Sequence, residues 1–160
     1  MKSAIIYYTF GGNTRIAAEG LKEFLAKRGA VDVIELSALD ESQSFFGQCG
    51  RAFGHTKAKI APVNADLSGY DLVCFGTPVW AFGPAPAVNT YLDGCKGLGG
   101  KDVVLFATYG SGAGKGRCLD YMQNILGKKG AKKFSRLYIQ QFKVKDREFV
   151  SAEIRKVLDA

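Results

Sequence analysis

Long apolar runs are missing from this chain. No stretch reaches the roughly 18 residues that a membrane span requires, and the opening "MKSAIIYYTF" has neither the apolar core nor the small-residue cleavage site of a secretory signal. Stable membrane insertion is therefore not expected, and a cytoplasmic location is. Histidine is almost absent. His55 stands alone, which excludes a multi-histidine metal site within one chain, and it reads as a loop or surface residue. The four cysteines, Cys49, Cys74, Cys95 and Cys118, lie far apart, so no Cys-x-x-Cys pair points to a metal or an iron–sulfur cluster. Cys74, inside "DLVCFG", reads as a small core residue. Repeats, linkers and low-complexity tracts are also lacking, so residues 1–160 are expected to form a single domain.

What is present describes a globular protein. A hydrophobic fraction of 47% with 23% charged residues argues against disorder, and 160 residues suffice for a sheet covered on both faces. The formal net charge of +7 is unevenly placed. Residues 1–100 balance nine basic against nine acidic side chains, while residues 101–160 carry thirteen against six. No nucleic-acid motif accompanies this excess, so "GKKGAKKF" reads first as a solvated helix face and, beyond that, as a surface for an acidic partner.

Five short apolar runs predict strands at 2–8, 31–36, 71–76, 102–107 and 134–139. The first, third and fourth are nearly continuous, as expected of strands buried on both faces of a parallel sheet. Helical patterns fall at 13–28, with Gly29 as a stop, and at 84–94, 115–128 and 146–158. The segment 40–64 is interrupted by Gly47, Gly50 and Gly54 and reads as a short helix plus a loop. Alternation of the two kinds of element predicts an α/β fold, an open, doubly wound parallel sheet with helices on both faces.

In such a sheet, ligands gather at the carboxyl ends of the strands. Three loops there are distinctive. The first, in "YYTFGGNTRIAAE", passes through Thr9, Phe10, Gly11 and Gly12 before a helix opening at Asn13 and Thr14. Paired glycines allow close backbone approach, and a helix N-terminus offers unpaired N–H groups and a positive dipole end, so the turn suits an anion. The alternative is a plain strand-to-helix turn capped by Asn13 or Thr14. The second loop, "TPVWAFG", holds Pro78, Val79, Trp80, Ala81 and Phe82, and Pro78 limits its freedom so that the indole is expected to face a ligand rather than the core. The third, "TYGSGAG", holds Thr108, Tyr109, Gly110 and Gly112. A phosphate at one end and an aromatic slot at the other suit flavin mononucleotide, FMN.

These residues also carry a resemblance. "TFGGNTR" resembles the Ser/Thr-x-Thr-Gly-Asn-Thr phosphate loop of flavodoxin-like FMN-binding proteins, "GTPVWAFGPAPAVNTYL" resembles the Gly-x-Pro-x-Trp segment of short-chain flavodoxins, and "KDVVLFATYG" resembles their third flavin loop. The resemblance spans nearly the whole chain and implies a five-stranded sheet of order 2-1-3-4-5. It further implies that Thr9, Gly12, Asn13 and Thr14 hold the phosphate and that the ring lies between the loops of Trp80 and Tyr109. Two features depart from the family. Gly11 stands where many members have a second hydroxyl, and a pI near 9.3 contrasts with the acidic surface common in the electron carriers.

Other phosphate chemistries fail on single residues. "YGSGAGKG" would need glycine in place of Tyr109 and Ser or Thr in place of Gly116 to be a nucleotide-hydrolysing P-loop. Thr9 and Arg15 have the spacing of a Cys-x5-Arg phosphatase loop, but threonine cannot supply a low-pKa thiolate. A receiver domain would need acids clustered after the first strand. The sequence therefore predicts a flavin-dependent redox protein that needs no catalytic acid, base or nucleophile of its own. An electron carrier serving a redox protein partner is favoured. An NAD(P)H-dependent reductase of quinones or similar acceptors is the main alternative, and a flavin-free binding module the third.

Overall fold

The structure, a computed structural model, describes residues 1–40, 50 and 55–159. Five strands, β1 (Lys2–Tyr7), β2 (Ala30–Glu35), β3 (Leu72–Pro78), β4 (Asp102–Tyr109) and β5 (Lys133–Gln140), form one sheet of order β2-β1-β3-β4-β5. Every pairing is parallel, with Ile5 opposite Val33 and Cys74, and Gly76 opposite Phe106. Four helices among the described residues cover it: α1 (Asn13–Ala26), α2 (Pro86–Gly94), α3 (Lys115–Lys128) and α4 (Arg147–Leu158). The expected topology is thus the observed one.

Strand periodicity of two divides the core. Ala4, Ile6, Val73, Phe75, Val103 and Leu105 meet Leu92 of α2 and Leu119 and Met122 of α3, while Ile5, Tyr7, Cys74, Val104 and Phe106 meet Leu21 of α1 and Ile154 of α4. The unbroken apolar runs of β1, β3 and β4 are consequences of this double coverage. Gly76 is required by close packing, since a methyl group there would fall 2.0 Å from the Phe106 ring.

Helix ends differ from the sequence reading in instructive places. α1 stops at Ala26 rather than 28, and Gly29 serves another purpose: a Cβ on it would lie 1.9 Å from the Met1 carbonyl oxygen. α4 is capped by Asp146, whose carboxylate accepts from the Phe149 N–H at 3.0 Å. Of the 40–64 segment, residues 41–49 and 51–54, including Cys49, lie outside the described residues. The described residues 55–64 after them form no helix, and an antiparallel bridge joins Ile60 to Ala38. No described helix is long and apolar enough to cross a membrane.

Because β2 and β3 lie on opposite sides of β1, the connections leaving β1 and β3 diverge and open a crevice at their carboxyl ends, the ligand position of open sheets for which flavodoxins are themselves an established example.

Candidate functional site

A cavity of about 420 Å³ occupies that crevice, within the roughly 300–1,000 Å³ typical of small-molecule sites. Its walls are Thr9, Phe10, Gly11, Asn13 and Thr14 after β1, Pro78 to Phe82 after β3, and Thr108 to Gly112 after β4. All three sequence-selected loops therefore converge. Of the residues proposed from sequence, only Gly12 is outside the lining. Ser111, Ala113 and Gln141 line the cavity without having been selected. The first two share the glycine-rich loop, whereas Gln141 follows β5, where no motif marks it. Its backbone N–H donates to the Tyr109 carbonyl at 2.8 Å, which ties the loop after β5 to the loop after β4.

The first loop is organised by Gly12, which sits at φ 88° as the N-cap of α1. No side chain caps this helix, so the reading in which Asn13 or Thr14 serves as cap is not what forms. Thr9 Oγ accepts from the Gly12 N–H at 3.0 Å, which leaves its own proton to donate outward. Thr14 is buried and its hydroxyl meets that of Thr108 at 2.8 Å. One proton joins the pair. The other remains to be donated. Beside them the N–H groups of the first helical turn lack partners within the helix.

Arg15 points its charge elsewhere. Its guanidinium grips Glu35 at 2.5 and 2.8 Å, and Tyr7 donates to the same carboxylate at 2.6 Å. The Arg15 hydrogen bonds hold the Glu35 carboxyl below its usual range, while burial, then the bond to Glu35, pushes the Tyr7 phenol up to about 12. Arg15 is thereby drawn into an ion pair, a further argument that this loop holds an anion rather than transfers it.

The aromatic end contains a correction. Trp80 lines the cavity, yet it is only 5% exposed and packs edge-on against both Tyr8 and Phe10, each at 5.7 Å between centroids. The indole is part of the core as well as part of the wall. Its loop can fold back because Trp80 and Gly83 exchange two backbone hydrogen bonds, at 2.9 and 3.0 Å. Phe10 and Phe82 are the half-exposed rings at this cavity. Tyr109 is held from outside by the Lys115 ammonium, 4.3 Å from its centroid and 5.2 Å from that of Tyr138.

None of the described lining residues is charged. An anionic group would be met by hydroxyls, backbone N–H groups and a helix dipole, and a flat ring by apolar side chains and peptide planes. This donor set fits FMN, with open space beside Gly11 and Gly12 that no described side chain enters. No metal-holding cluster occurs among the described residues. The described cysteines offer no nucleophile either. Cys74 and Cys118 are buried, which pushes both thiols up to about 12, and burial raises Cys95 to about 11. His55 lies exposed in a turn and stacks on Tyr121 at 4.0 Å.

Fold and cavity together define a flavodoxin-like, FMN-binding flavoprotein. The chain belongs to the NADPH-dependent FMN reductase family, whose model matches residues 1–140. Among solved structures it is similar to a flavoprotein in complex with FMN from Lactobacillus acidophilus NCFM, at 20% identity and TM-score 0.66, over 92% of this chain and 98% of that one. It is also similar to the two-electron reduced flavodoxin of Megasphaera elsdenii, at 19% identity and TM-score 0.57, over 96% and 98%. A WrbA-like flavodoxin from Agrobacterium tumefaciens matches at 15% identity and TM-score 0.62, over 97% and 96%. These identities speak to the fold alone. No curated protein matches the chain.

Proposed function

We propose that this protein is an NAD(P)H-dependent oxidoreductase that works through FMN held in the 420 Å³ cavity. The observation that carries the reading is the convergence of an α1 N-terminus without a side-chain cap and the Thr14–Thr108 hydroxyl pair with two aromatic-bearing loops in one crevice whose described lining carries no charge. Family membership over residues 1–140 favours the reductase over a simple carrier. FMN supplies the chemistry, accepting two electrons as hydride or passing them singly. The chain supplies position: Thr9, Thr14, Thr108 and the amides after Gly12 take the phosphate, and the loops after β3 and β4 enclose the ring.

The carrier reading retains one supporting observation. Phe142 is 78% exposed in the loop after β5, flanked by Lys143 and followed by Lys145, so a basic surface with an apolar point exists at the cavity's end of the sheet for an acidic redox partner. Anaerobic mixing of the FMN-loaded protein with NADPH and with NADH separates the two. The reductase reading expects loss of flavin absorbance, saturable in nucleotide. Absorbance that persists with both nucleotides, while dithionite bleaches it, would replace the reductase with the carrier.

A further inference from the structure

The described lining of the cavity carries no charge, yet one cation stands beside that lining without joining it. Lys115 opens α3, and its ammonium lies 4.3 Å from the centroid of Tyr109, a ring of the cavity wall, and 5.2 Å from that of Tyr138 on β5. Two aromatic faces therefore keep the charge against the wall.

This is an unfavourable place for a lysine. It is partly buried, and no carboxylate among the described residues pairs with it. The first turn of α3 holds no acid, and the single acid of that helix, Asp120, is taken by Arg136 at 2.7 Å. Lys115 also occupies the first position of the helix, at the positive end of the dipole, where a cation is disfavoured. The two tyrosine faces offset part of this cost by cation–π attraction. Arg117, two residues on, avoids it by standing exposed. What Lys115 lacks is an anion, and the space next to Tyr109 is the flavin cavity.

We propose that Lys115 is a positioning residue whose ammonium, held against Tyr109, supplies the counter-charge for a reduced ring in the cavity and so raises the potential of bound FMN. This rests on the FMN reading above and adds how the chain biases the couple. A hydride brings two electrons and one proton, so the ring gains one negative charge as NAD(P)H leaves as NAD(P)+. With no charge on the described lining to compete, a fixed cation attracts the reduced ring and scarcely acts on the neutral oxidised one. The phosphate, held by the loop after β1, carries the same charge in both states and drops out of the difference.

The test titrates the wild type, Lys115→Met, Lys115→Arg and Arg117→Met anaerobically with FMN and with riboflavin, each oxidised and dithionite-reduced. Lys115→Met should hold the oxidised affinities within about twofold and weaken the reduced ones roughly tenfold, for both flavins. By linkage, that tenfold lowers the two-electron potential of the bound flavin by about 30 mV. Lys115→Arg should keep the wild-type ratio of reduced to oxidised affinity, and Arg117→Met should move it by less than about twofold, because its charge is screened by solvent. Each ratio is taken within one protein, so a partial loss of folded material cancels. Equal weakening of both redox states by Lys115→Met would make the lysine a prop for Tyr109 and overturn the proposal. A loss confined to FMN would make it a phosphate ligand and overturn it too, as would an Arg117→Met effect as large as that of Lys115→Met. If the wild type took up neither flavin in either state, the FMN reading itself would fall, and this proposal with it.

Discussion

At the scale of single residues, the hydroxyl pair is the most exposed to test. Thr14→Ala should remove a donor to the phosphate, a loss of about 1.5–3 kcal/mol or roughly ten- to a hundredfold for FMN, with riboflavin little affected. It should also destabilise the flavin-free protein by about 1–3 kcal/mol, because the Thr108 hydroxyl, only 3% exposed, would lose its partner. Flavin titrations and thermal melts check the two effects separately. The Tyr7–Glu35–Arg15 cluster predicts a pH signature. Glu35 has its pKa lowered in the folded state, so its contribution is present above the unfolded carboxyl value and is lost as pH falls through the folded one. Tyr7 is raised to about 12, so its contribution is present below the unfolded value near 10 and fades as pH climbs toward 12. Urea midpoints measured against pH should fall at both limits, and Glu35→Gln should flatten the acid limb.

Elements were more legible than their junctions. The apolar runs located all five strands, most sharply β1, β3 and β4, where double coverage leaves no polar face to blur the pattern, and α3 and α4 came within a residue of their observed ends. The loops after β1, β3 and β4 could be selected for their glycines, hydroxyls and aromatics. What sequence did not reveal is local strain and long-range packing. Nothing in "WAFG" announces two left-handed residues, since the usual marker, glycine within the turn, is missing. Trp80 reads from its loop neighbours as facing a ligand rather than the core, and only the fold, which brings Tyr8 and Phe10 onto its edges, makes it a core residue as well as a cavity wall. Gln141 reaches the cavity through strand register alone. The turn makes its own prediction. Ala81→Gly should relieve about 1–3 kcal/mol of strain against about 0.4–1 kcal/mol lost to the freer unfolded chain. A net gain near 1 kcal/mol would raise the melting temperature by roughly 2–4 °C at this chain length, readable by calorimetry of the flavin-free protein.

For the whole molecule, the basic excess of residues 101–160 divides between two ends. Lys101, Lys128, Lys129, Lys132 and Lys133 lie where β4 and β5 begin, opposite the cavity, and two of them have structural duties. Lys129 donates to the Asp93 and Cys95 carbonyls at 2.7 and 2.9 Å, and Lys101 to those of Ser68 and Tyr70. Lys115, Arg117, Lys143 and Lys145 stand at the cavity's end. If an acidic partner docks there, Arg117→Gln and Lys143→Gln should slow association and reduce its salt dependence, whereas Lys128→Gln and Lys132→Gln should leave both nearly unchanged. Stopped-flow association rates at low and physiological salt measure the difference, and equal effects from the two groups would argue against docking at the cavity.

Trp80 is the only tryptophan in the chain, and it stands in the cavity wall. Indole emission therefore reports from one place. Because an oxidised flavin absorbs where indole emits, a ring entering the cavity would receive the excitation energy of this single donor at contact range and darken it. The flavin-free and loaded forms can then be followed by ultraviolet fluorescence without any label.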